Sequence, residues 1–196
     1  FRTLLTEARG RHPGNHARAL STLTTLYGRA GRYLEAHTLG VHLVLLARSI
    51  GPAADRALAF ALARVCGALS QLRIEDALGE ALVELREVLD RQATPFDNLE
   101  LEYHVAASVH STLLGDAVLA RAHVEAYRRI LATVRVPDTV YRWALTMADS
   151  RVLLLEGRPA EARALLAQLG AGVPAPEFGQ LQALVLEVEI GAALGE

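Results

Sequence analysis

The stretch Leu153-Leu-Leu-Glu-Gly-Arg-Pro-Ala-Glu-Ala162 decides the fold, because the rest of the chain repeats its plan. An apolar helical run stops at Gly157, Pro159 opens the next helix, and small Ala162 lies on that helix's first turns. Glycine suits the stop because positive φ carries no Cβ penalty there. Proline suits the start because its missing N–H is unneeded in a first turn. The same order appears at Leu26-Tyr-Gly-Arg-Ala-Gly-Arg-Tyr-Leu-Glu-Ala36 and at Thr112-Leu-Leu-Gly-Asp-Ala-Val-Leu-Ala120. It returns in part at Ala193-Leu-Gly-Glu196.

The turn glycines Gly31, Gly115 and Gly157 are separated by 84 and 42 residues, so one unit near residue 73 lacks its glycine. There Ser70-Gln-Leu-Arg-Ile-Glu-Asp-Ala77 puts Arg73 in the glycine slot and Ala77 in the alanine slot. Ala36, Ala77, Ala120 and Ala162 then step by 41, 43 and 42 residues, and each is expected to be buried where two helices cross. Such self-similarity marks a repeat architecture. Apolar residues recur at helical spacing throughout and no strand pattern appears, so the fold class is all-α. The division is a preceding repeat's tail at 1–14, repeats at 15–52, 53–95, 96–137 and 138–173, and a fifth repeat's first helix at 174–196. Opening in mid-pattern and closing on a repeat turn, the sequence reads as a piece of a longer protein.

Composition bounds the function. The net charge of -2 gives no general attraction to nucleic acid or acidic membranes. All 20 basic residues are arginine, which with abundant Ala and Leu reads as a coding bias. The single cysteine, Cys66, excludes an internal disulfide and fits a reducing, cytoplasmic setting. No apolar run approaches the ~18 residues that span a bilayer, and no signal peptide is visible.

Chemistry-bearing constellations are few. His12 and His16 have helical spacing, but Pro13-Gly14 intervenes; His37 with His42 and His104 with His110 share no clean helix face. With no Cys or carboxylate cluster to complete a ligand set, no metal and no cofactor are expected. Ser108 and His110 point to different faces, and no nucleophile-elbow or phosphate-loop string exists, so no enzyme activity is expected. Asp149 falls in a packed slot, where a carboxylate needs a partner from Arg142 or a neighbouring helix. It reads as an interhelical bond or as a polar contact within a groove. Tyr103, Tyr127, Tyr141 and Trp143 read as core, and Arg128, Arg129 and Arg135 as a solvated face.

Leu20, Leu23, Tyr27, Gly31, Tyr33 and Ala36 fall on the tetratricopeptide-repeat pattern, and over nearly its whole length the chain resembles that family. The 42-residue period is similar to its long-helix variety, found in sensor domains of large bacterial transcriptional regulators. The resemblance implies a right-handed superhelix of about nine helices in antiparallel pairs. It implies a domain that binds a protein segment, a peptide or a small-molecule effector along a concave groove built from first helices. Carried over, that groove takes Arg18, Ser21, Thr25 and Arg29, then Leu62 and Cys66, then Glu102, Val105 and Val109, then Met147 and Arg151. The family's clamp for chaperone C-termini needs Lys, Asn and Arg where this chain is mostly apolar. The alternative function is a structural scaffold or self-association module. An open apolar face on 178–194, with Phe178, Leu181, Leu184, Val185, Val188 and Ile190, predicts a homodimer through exposed repeat ends.

Overall fold

A computed structural model describes residues 13–92, 97–134, 139–172 and 177–196. Among the described residues the chain is all-α, with nine helices and no strand. These are α1 (Pro13–Arg29), α2 (Tyr33–Ile50), α3 (Asp55–Leu72), α4 (Glu75–Asp90), α5 (Asp97–Leu113), α6 (Ala117–Thr133), α7 (Thr139–Leu155), α8 (Pro159–Gly172) and α9 (Glu177–Leu194), with a short 3-10 turn at Pro52–Ala54. Of the preceding repeat's tail expected at 1–14, residues 1–12 lie outside the described residues. Two compact units are formed, Phe1–Pro95 and Phe96–Glu196.

One turn joins each pair of helices. Gly31, Arg73, Gly115, Gly157 and Gly195 all have positive φ, and the first four recur every 42 residues. The residue after each donates its N–H five residues back: Arg32 to Tyr27, Ile74 to Leu69, Asp116 to Ser111, Arg158 to Leu153 and Glu196 to Gly191, at 2.9 to 3.2 Å. This 6→1 bond satisfies carbonyls that a helix end leaves open. In the first four turns that same residue also starts the next helix. The carbonyls of Arg32, Ile74, Asp116 and Arg158 accept from Ala36, Leu78, Ala120 and Ala162.

These bonds correct one expectation. Arg73 does hold the glycine slot, at φ 55, but the residue four places after the shared cap is Leu78, not Ala77. Leu78, Ala36, Ala120 and Ala162 are all buried, whereas Ala77 is only half-buried. Read this way, the slots also step by 42 without slippage, and the hairpin that turns at Arg73 fills its slot with leucine. A second series keeps the same step. Thr24, Cys66, Ser108 and Ser150, each seven residues before its turn, are small and buried.

Within each unit, neighbours in sequence are neighbours in space. α1 packs on α2, α2 on α3 and α3 on α4; first helix also touches next first helix, α1 on α3. α3 has partners on several sides, so its apolar residues are buried nearly all round, among them Ala59, Ala61, Leu62, Cys66 and Leu69. Gly40 of α2 is required where α2 meets α3, since a Cβ there would meet Val65 Cγ2 at 2.9 Å. In the second unit α5 to α9 pack in the same order, with α5 also on α7 and α7 on α9. Its core joins Trp143, Met147, Leu166, Leu169, Leu186 and Ile190 from α7, α8 and α9. Ala120 and Val124 of α6 meet Ala148 and Val152 of α7 in a second cluster.

Candidate functional site

In the first unit, Arg18, Ser21, Thr25 and Arg29 share one face of α1 by their three- and four-residue spacing. Arg18 and Arg29 are exposed and Ser21 and Thr25 half-buried. The Thr25 hydroxyl donates to the Ser21 carbonyl at 3.0 Å, so the polar row is partly tied to its own backbone. Beside it, the Arg32 guanidinium lies 4.6 Å from the Tyr27 ring centroid and donates to Glu35 at 2.9 and 2.6 Å. The expected continuation onto α3 is different in kind. Leu62 is 2% exposed and Cys66 0%, so both are core side chains with no surface to offer a ligand. A helix apolar on every side carries no sequence signal for which stripe faces a groove, and here none of that stripe does.

In the second unit, Glu102 and Val105 of α5 and Arg151 of α7 are half-buried, whereas Val109 and Met147 are buried. Met147 belongs to the cluster with Trp143 and Leu166. The structure thus keeps Glu102, Val105 and Arg151 within reach of solvent and takes Val109 and Met147 into the interior.

Asp149 finds its partners on the neighbouring helix. One carboxylate oxygen accepts from Arg121, and the other accepts from Arg128 at 2.7 Å, both on α6. Arg121 continues to Glu156 with bonds of 3.0 and 2.9 Å, and Arg128 to Glu125. Arg158 joins Glu156 at 3.0 Å to Glu161 at 2.7 and 2.6 Å. The hydrogen bonds to Glu156 raise the Arg121 guanidinium pKa against the cost of burial, and those to Asp149 raise it further. Arg121 in turn holds the Glu156 carboxyl below its ordinary value, with Arg158 helping. Alternating charges of this kind fix helix against helix. Arg142, the other partner considered for Asp149, is not needed for it.

The one feature that reading along the chain passes over is a histidine pair. His104 of α5 and His123 of α6 bring their Nδ1 atoms to 3.0 Å, so one ring donates and the other accepts. Tyr103 packs edge-on against both rings, at 5.2 and 6.0 Å between centroids. Burial pushes the His123 pKa down, and the nearby positive charge of His110 pushes it further. The sequence signal lies across the hairpin: His104 stands ten residues before Leu114 and His123 nine after it. The pair is a polar contact between two helices. Among the described residues no three His, Cys, Asp or Glu side chains gather as metal ligands.

No family model, curated protein or solved structure matches this chain. Among the described residues, no helix is long and apolar enough to cross a membrane.

Proposed function

We propose that this chain is a protein-interaction or ligand-sensing repeat domain of the tetratricopeptide type, one segment of a larger bacterial signalling or transcriptional regulator acting in the cytoplasm. The observation that carries this reading is the hairpin turn repeated at 42-residue steps, with its 6→1 bond each time. Units built this way bury themselves against their neighbours, leaving a run of first-helix surface for a partner. On α1 that surface is the row from Arg18 to Arg29, cationic at both ends and hydroxyl-bearing between. Such a row suits a peptide or effector carrying acidic groups. A scaffold or self-association role is the second reading, favoured by the exposed apolar side chains of α9.

Selecting a random peptide library on the immobilised chain tests the first reading. Selected peptides should lose binding about tenfold to the Arg18→Glu, Arg29→Glu protein, as expected when anchor charges are reversed. They should bind normally to a Glu80→Arg protein altered on an exposed face of α4. Selection of nothing above background, or equal binding to all three proteins, would overturn it.

A further inference from the structure

Between Leu58 and Ser70 of α3, every residue is buried except Phe60, Arg64 and Gly67. Helices α1, α2 and α4 all pack on α3, so this stripe stays open with its neighbours in place. Phe60, Arg64, Gly67 and Gln71 stand thirteen, nine, six and two residues before the turn residue Arg73. At the same distances before Gly31 stand Arg18, Thr22, Thr25 and Arg29 of α1. Thr25 is half-buried and the other three are exposed. Since α1 touches α3, the two stripes run side by side, with Thr25 level with Gly67.

Two features set this surface apart from the rest of its unit. On the neighbouring helices Arg32, Arg48, Arg86 and Arg91 each clasp a carboxylate. Arg18 and Arg29 have no ion-pair partner among the described residues, and α1 itself contains no acidic residue. Gly67 stands inside a helix, where glycine weakens the element. Gly40 has a reason to be glycine, since α3 crosses close to it, but nothing lies within 4 Å of the Cβ that Gly67 lacks. Packing among the described residues does not call for Gly67; the close approach of another backbone does.

Spacing and chemistry select the occupant. Arg18 and Arg29 are eleven residues apart on one face of α1, which is about 16 Å along its axis. An extended chain covers that distance in about five residues. The Thr22 and Thr25 hydroxyls lie between the two arginines, and Thr25 donates its proton to the Ser21 carbonyl, leaving its oxygen to accept. A helical partner has already paired its backbone groups, whereas an extended one presents N–H groups to such oxygens.

We propose that this surface binds an extended acidic segment of another protein, whose carboxylates, five residues apart, reach Arg18 and Arg29 while its backbone passes between Thr25 and Gly67. The proposal rests on the reading of the chain as an interaction module and gives its partner a form. The probe is a fluorescent decapeptide with aspartate at its third and eighth positions and threonine, valine and serine elsewhere, chosen to favour extended backbone.

Titrated with the full chain, the decapeptide should bind saturably, about tenfold tighter than one of the same composition with adjacent aspartates. Arg18→Glu and Arg29→Glu should each cost about tenfold in affinity. Gly67→Leu should cost as much while melting no lower than the parent, because its new side chain meets open space. A Gly67→Leu protein that melts lower, or that binds the decapeptide like the parent, would overturn the path over Gly67. Equal affinity for the two peptides would overturn the proposal, as would tighter binding of a helical peptide with glutamates eleven residues apart. If library-selected peptides need Arg18 and Arg29 but the decapeptide does not bind, this partner falls and the interaction module stands. If neither binds, both fall.

Discussion

Ser150 keeps its hydroxyl fully buried, without a hydrogen-bond partner among the described residues. Its small size suits the helix contact of α7, but the oxygen gains nothing there. A buried unsatisfied hydroxyl costs about 1 kcal/mol or more, so Ser150→Ala should raise the melting temperature with no change of fold. A lower melting temperature would show that the hydroxyl is used. His123 sets a condition on pH. Its folded pKa lies below the ordinary 6.5, so the unfolded state binds protons more readily in that range. Stability is full above about 6.5 and is lost as pH falls through that value towards the folded pKa. His104 and Tyr103 lie against the same ring, and His110 is the charge that adds to burial. Melting scans from neutral to mildly acid pH should show a decline that His123→Asn flattens; an equal decline in both proteins would place its cause elsewhere.

Each helical hairpin is closed by a residue that ends one helix and starts the next. Where that turn has glycine, φ costs nothing; where it has Arg73, the left-handed backbone costs roughly 1 kcal/mol. Arg73→Gly should therefore stabilise the first unit by about that amount, less a few tenths for the looser unfolded chain. Chemical denaturation midpoints would measure it, and a destabilised variant would mean that the arginine side chain outweighs its backbone. The same position marks the limit of what can be read from residues alone. The turns were legible wherever Gly31, Gly115 and Gly157 announced them. At the second turn, at Arg73, the glycine signal is gone, and a neighbouring alanine draws the alignment one residue away from Leu78. The burial of several expected groove residues was hidden for a related reason. Leu62, Cys66 and Met147 are apolar whether they line a cleft or fill a core, and only neighbours on all sides of α3 and α7 decide which. The partners of Asp149 were a matter of three dimensions from the start, since Arg121 and Arg128 precede it by 28 and 21 residues.

Over the whole molecule, each compact unit has an interior of its own: α3 at the centre of one, and the Trp143–Ile190 cluster within the other. Contacts run between neighbours, so closing either interior asks little loop entropy. Residues 1–95 and 96–196, produced separately, should each give a helical spectrum and a cooperative melt. A fragment that stays uncooperative would show that its core needs the other half. The shared cap residue has a further consequence, at the level of the gene. Because one amino acid closes a helix and opens its successor, the turn has no spare position. An in-frame duplication reaching from one such residue to the next delivers a complete interlocking hairpin. A duplication even one codon longer or shorter rotates the following helix by about 100° and presents the wrong face. Lengthening by whole hairpins thus keeps every face in register, while smaller differences fall to the segments between hairpins, as in the 38-residue step from Gly157 to Gly195.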